Sequence, residues 1–162
     1  MKVTLRIRTG ERSDVPLIAE LIRGLARYER LEDEVTMTEE KLDRALFGER
    51  PYAETLIAED HAGKAVGFAL FFHNFSTFLA QPGIYLEDLF VLPEQRGAGI
   101  GRALLERLAQ IAVERGCGRL EWAVLDWNVD AIRFYQRLGA KPNADWTVYR
   151  LTGDRLRALA GE

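Results

Sequence analysis

Three glycines at alternate positions, Gly97, Gly99 and Gly101, stand between an apolar run and a helical pattern in "LFVLPEQRGAGIGRALLE", residues 89–106. Glycine lets the backbone take positive φ and come close to a ligand with no Cβ in the way. With outward amides and the first turn of a helix behind it, such a loop gathers N–H donors and the positive end of a helix dipole on one spot, which favours phosphate. A second concentration of chemistry is acidic. Residues 28–40, "YERLEDEVTMTEE", carry Glu29, Glu32, Asp33, Glu34, Glu39 and Glu40 against Arg30 alone. A run of this kind is either a solvated face or an attractive field for a cationic ligand.

The glycine spacing excludes two phosphate chemistries. A Walker loop needs Lys-Ser/Thr after its last glycine, but Arg102 and Ala103 follow Gly101, so no hydroxyl is offered to magnesium and nucleotide hydrolysis is not expected. A dinucleotide fingerprint needs G-x-G-x-x-G; here the third glycine comes one place early and Arg102 stands where it should be.

The elements around these residues follow from periodicity. Residues 3–8, "VTLRIR", alternate apolar with polar as a half-buried strand does. A helix then starts with Ser13 as N-cap and Pro16 in its first turn, burying Ile18, Leu21, Ile22 and Leu25. A second, short helix after Thr38 carries Leu42, Ala45, Leu46 and Phe47 and stops at Gly48. Residues 54–60 and 64–73 form an antiparallel hairpin about "HAGK", and 84–92 is a strand closed by Pro93. From Gly99 to about Arg115, Leu104, Leu108, Ile111 and Ala112 make the apolar stripe of a helix that Gly116 ends. A strand at 119–125 follows, then a helix with Asn128 as N-cap and Gly139 as stop, a final strand "WTVYRL" at 146–151, and a short C-terminal helix. Strand, turn, helix, strand over 84–125 is a βαβ unit, whose strands should run parallel with a right-handed crossover. The fold class expected is mixed α/β, with helices on both faces of the sheet.

At 162 residues, with no repeat or linker, the chain should be a single domain, 1–162. Its balance of 48% hydrophobic and 29% charged residues is that of a soluble globular protein. A net charge of −3 argues against a nucleic-acid partner. No stretch has the length of a membrane span, and the start lacks the apolar core of a signal peptide, so no membrane association and a cytoplasmic address are expected. Cys117 is the sole cysteine, which precludes an internal disulfide and reads as structural. His61 and His73 read as surface residues, and no metal is expected.

The run Arg96-Gly97-Ala98-Gly99-Ile100-Gly101 resembles the R/Q-x-x-G-x-G/A signature of the GNAT-type N-acetyltransferases. The strand ending in proline before it, the element order, and Asn128 with Tyr135 in "WNVDAIRFYQRLGA" extend that likeness over nearly the entire chain. "LARYERLEDEV", "YLEDLFV", "RGAGIG" and "DWNVDAIRFYQRLGA" together are similar to the diamine acetyltransferases, the spermidine/spermine type and its thialysine-preferring relatives.

That resemblance implies a GNAT fold: a mixed, mostly antiparallel sheet in which one parallel pair of strands splays apart to admit the pantetheine arm of acetyl-CoA. It implies that Arg96, Gly97, Ala98, Gly99, Ile100, Gly101 and Arg102 hold the pyrophosphate. Leu89, Phe90 and Val91 would offer backbone amides at the splay, and Asn128 and Ala131 would hold the pantetheine arm. Tyr28, Glu29, Glu87 and Asp88 match positions that touch the polyamine. Glu87 is implied as general base, through water, and Tyr135 as the acid that protonates the thiolate. A base is needed because a free alkylamine, with a pKa of about 10.4, is protonated at neutral pH. Successive strand residues face opposite ways, so Glu87 and Asp88 enter one pocket only if a bulge or splay re-aims them. The expected activity is acetyl transfer from acetyl-CoA to a primary amine of a small cationic substrate, by a homodimer. The rivals are acetylation of a protein N-terminus, a lysine, an amino acid or an aminoglycoside, and a non-catalytic acyl-CoA-binding module.

Overall fold

The structure, a computed structural model, describes residues 4–162. They fall into two compact units that meet in sequence at Ala123 and Val124. The first unit holds five strands in the order β1-β2-β3-β4-β5, namely β1 (Arg6–Thr9), β2 (Glu54–Glu59), β3 (Ala65–Ser76), β4 (Gln81–Val91) and β5 (Leu120–Trp122). The first three pairings are antiparallel and β4 with β5 is parallel, the pair expected from the βαβ pattern.

Helices α1 (Val15–Glu29), α2 (Glu39–Phe47) and α3 (Ile100–Glu114) complete this unit. Helix α1 buries Val15, Ile18, Ala19, Leu21 and Leu25, the i, i+3, i+4 stripe its sequence shows. Phe68, Leu70 and Phe90 pack against it from the sheet. A Cβ built on Gly67 would lie 3.4 Å from Ile100 Cγ2 on α3. Neighbouring strand residues point to opposite faces, so α1 and α3 cover opposite faces of the sheet. Phe68, Phe71, Ile57, Ile84, Leu86, Leu104 and Leu108 are among the side chains sealed in the layers between.

Helix boundaries depart from expectation at one place. Asp14, not Ser13, fixes the start of α1: its carboxylate accepts from the Glu11 amide at 2.7 Å and from Arg8 at 2.7 and 2.8 Å. The partly buried ion pair with Arg8 makes it the stronger anchor, and holds its pKa below the ordinary carboxylate value. Thr38 caps α2 as expected, its side chain accepting from the Lys41 amide.

The second unit, from Val124, contains α4 (Val129–Arg137) and α5 (Gly153–Ala160). Asn128 caps α4 by accepting from the Ala131 amide at 3.3 Å. The strand expected at 146–151 is absent, and the strand expected at 119–125 is cut to Leu120–Trp122. Alternation sets which way side chains face, but a strand exists only on a ladder. Among its described residues the second unit has helices alone, so it offers 146–151 no strand to pair with. Of the expected strand 3–8, Arg6 to Arg8 are found in β1, while Val3 lies outside the described residues.

Candidate active site

Strand β4 turns itself over in its middle. Leu70 of β3 lies opposite Asp88, but the next residue, Phe71, lies opposite Leu86, leaving Glu87 as the extra residue of a β-bulge. Cross-strand partners share a face. Leu70 faces α1, so Asp88 does too, while Phe71 and Leu86 face the other way. Tyr85, opposite Phe72 with ring centroids 5.3 Å apart, is again on the α1 side. Glu87, two residues from Tyr85 and next to Asp88, therefore has its carboxyl near the Tyr85 phenol and the Asp88 carboxyl, and its charge raises the pKa of both. The re-aiming that two consecutive acids need to share a pocket is present.

Helix α1 brings a third acid to the same place. Its last residue is Glu29, whose carboxyl is raised above its ordinary pKa by burial and then by the charge of Glu87. Asp88 is half-buried, and burial, followed by the charges of Glu87 and Glu29, pushes it up to about 7. Tyr85 is raised as well, by burial first and then by Glu87 and Glu121. No salt bridge joins a cation to Glu29, Glu87 or Asp88 among the described residues. Three acids gathered in this way, with Asp88 ready to ionise as a cation arrives, favour a cationic ligand.

The parallel ladder between β4 and β5 ends at Leu86 and Trp122, immediately before the bulge, while β4 runs on to Val91. This is the splay. Leu92 donates its amide to Val66 at 2.9 Å, and in an antiparallel ladder alternate residues bond to the same neighbour. Phe90 and Asp88 are thus in phase with β3, and the backbone groups of Leu89 and Val91 face the open side. Of the three residues expected to offer amides, Phe90 instead has its backbone in the ladder and its ring in the α1 core.

Beyond Val91, Gly97 and Gly99 take φ of +84° and +82°, and Gly99 is the N-cap of α3. Gly101 has no positive φ: it lies in the first turn of α3, and its expected left-handed conformation is not found. The first intrahelical bond runs from the Ala103 amide to the Gly99 carbonyl, leaving the amides of Ile100, Gly101 and Arg102 as the helix's unspent donors. A Cβ at Gly97 or Gly99 would meet nothing within 4 Å. Open space faced by uncapped amides fits a diphosphate. Arg102 pairs with Glu106 at 2.8 Å. Arg96 folds back: its Nε donates to the Val91 carbonyl at 3.1 Å and its guanidinium sits 4.1 Å from the centroid of the Tyr28 ring. This link between loop and α1 has no signature in sequence.

In the second unit Tyr135 lies on α4, its ring centroid 5.5 Å from that of Phe134, and Ala131 donates to Asn128. Sequence reasoning also missed a cluster at the C-terminal end of α3. There the Cys117 Sγ is 3.8 Å from His73 Nδ1, and Arg115 bridges His73 Nε2 to Glu54 at 2.9 and 2.7 Å. The exposed position expected for His73 is found. Among the described residues no group of three or more His, Cys, Asp or Glu side chains could hold a metal ion, and no helix is long and apolar enough to cross a membrane.

The family described as Acetyltransferase (GNAT) family matches residues 18–140. A thialysine N-epsilon-acetyltransferase of Bos taurus is 39% identical, the match covering 96% of this chain and 97% of that protein. An L-ornithine N5-acetyltransferase of Arabidopsis thaliana is 34% identical over 95% of this chain and 87% of its own. Among solved structures, an integron cassette protein from the mobile metagenome of V. cholerae superposes with a TM-score of 0.82 at 30% identity, covering 100% of this chain and 99% of that one.

Proposed function

Since the chain belongs to the GNAT acetyltransferase family, and is an acetyl-transferring enzyme as its curated relatives are, we propose that its acceptor is a primary amine of a small cationic molecule. Diamines, polyamines and thialysine-like amino acids are the class. The observation that carries this reading is the meeting of Glu29, Glu87 and Asp88 at the bulge. A cluster of like charge costs folding energy, and a substrate with two cationic groups offsets that cost on binding. The amine specificity of the thialysine and ornithine relatives points the same way.

Enzymes of this family use acetyl-CoA, which when bound supplies an acetyl group as a thioester. The loop Arg96 to Arg102 holds its pyrophosphate through the amides at the head of α3, and Asn128 and Ala131 hold the pantetheine arm. The outward amides of Leu89 and Val91 would serve as donors for the acetyl carbonyl of the bound cosubstrate. Glu87, exposed at the bulge, accepts the proton of the substrate ammonium, directly or through water. Tyr28, Glu29 and Asp88 hold the remainder of the substrate. Tyr135 would supply the phenolic proton for the thiolate; with a reference pKa of about 10 a phenol is protonated at neutral pH.

The test is steady-state acetylation of thialysine, ornithine, spermidine, putrescine, lysine and a basic peptide by the purified protein. Small amines with a second cationic group should give the highest kcat/KM. A preference for the peptide or for a singly charged amine would overturn the substrate class, and acetyl-CoA binding without turnover of any amine would overturn catalysis.

A further inference from the structure

We propose that Asp88 is the resting place of the proton given up by the amine: Glu87 takes it from the ammonium at the surface of the bulge and passes it to the half-buried Asp88 carboxylate beside it. The proposal rests on the reading of this site as an amine acetyltransferase. In the step the N–H bond of the ammonium breaks and its electron pair stays on nitrogen. The proton moves to a Glu87 oxygen, then to an Asp88 oxygen, and leaves for water when product departs.

The geometry is what makes the transfer short. In a regular strand the side chains at 87 and 88 would project from opposite faces. The bulge at Glu87 places both on the α1 side, with Leu70 of β3 directly opposite Asp88. The two carboxyls differ in surroundings. Glu87 is exposed, whereas Asp88 is half-buried opposite Leu70, a residue packed against the cluster of Leu21, Leu25, Phe68 and Phe90. The titratable groups that face Asp88 are Glu87 on its own strand and Glu29 from α1, and the facing residue on β3, Leu70, is apolar. Burial and the charges of Glu87 and Glu29 therefore favour the neutral, proton-bearing form of Asp88. An ordinary carboxylate releases a proton far too readily to store it at neutral pH. Asp88, pushed up to about 7, takes up and releases one there.

Single-turnover acetylation of thialysine across pH tests this, with wild type, Asp88→Asn and Glu29→Gln compared. The wild-type rate should rise with pH through an inflection near 7, as Asp88 becomes ionised and able to receive. In Asp88→Asn that inflection should leave the neutral range and the plateau rate should fall by about tenfold or more. In Glu29→Gln the inflection should move to lower pH, because one like charge is gone. Carboxyl-carbon NMR of the free wild-type protein should show Asp88 titrating near 7. A purely structural Asp88 would lower the rate of Asp88→Asn without moving the inflection, which would overturn the proposal. So would a Glu29→Gln inflection that stays in place, or an Asp88 carboxyl titrating at about 4, its ordinary range. Acetylation of amines with Asp88 in that ordinary range sinks the proton store alone. Failure to acetylate any amine sinks the amine reading and the store with it.

Discussion

Asp88 is a carboxyl that folding moves out of water toward two other carboxyls, and the cost of that move depends on pH in a fixed direction. Its pKa is raised from 3.8 to about 7, so the folded state binds more protons than the unfolded state between those values. Stability contributed by the neutral side chain is complete below 3.8 and is lost as pH rises through about 7. Asn in its place is neutral at every pH. The thermal midpoint of Asp88→Asn should therefore exceed that of wild type by an amount that grows from pH 4 to 7 and then levels off. Two curves that run parallel would show that Asp88 is not strained by its neighbours. The sequence made the acids themselves legible, since "YLED" and the run after Tyr28 are visible as charge in an apolar setting. It could not show that they meet. The bulge has no glycine to announce it, and Glu29 is separated from Glu87 by two further strands and a helix. The stacking of Arg96 on Tyr28 was hidden for the same reason: it is a contact between residues distant in sequence.

At the scale of elements, local signals and partner-dependent ones had different fates. Helices α2 and α4 start where Thr38 and Asn128 place their caps, because an N-cap is a bond within a few residues. Segment 146–151 has the alternation of a strand and none of its pairing, because pairing depends on a neighbour that the segment does not specify. The left-handed turn at Gly97 and Gly99 before α3 was legible because it is local too. Its conformation carries a prediction. Gly99 has φ of +82° with nothing within 4 Å of an added Cβ, so alanine there meets no steric obstacle and pays only for the left-handed backbone. Gly99→Ala should destabilise the protein by about 1 kcal/mol and lower its melting temperature by about 2–4 °C. Calorimetry should also show weaker acetyl-CoA binding, since the strained loop relaxes away from the geometry that aims its amides. Unchanged affinity would mean that the amides at the head of α3 do not hold the pyrophosphate.

For the whole molecule, a net charge of −3 understates the local field, because acids gather at Glu29, Glu87 and Asp88 while many of the arginines are engaged in ion pairs elsewhere. Salt screens such a field over about 10 Å at 0.1 M. Raising ionic strength should increase the KM for a diamine more than for a monoamine of equal length; equal changes would argue against a second cation subsite. The turned-over strand has one more consequence. Upstream of Glu87, Ile84 and Leu86 are sealed on the side away from α1; downstream, Phe90 is sealed beneath α1. A strand anchored to one side only can creep lengthwise by a small repacking, but β4 is bolted from above and below its own pleat. A one-residue slip would tear out both bolts, so the acid pair between them keeps its place without help from any ligand.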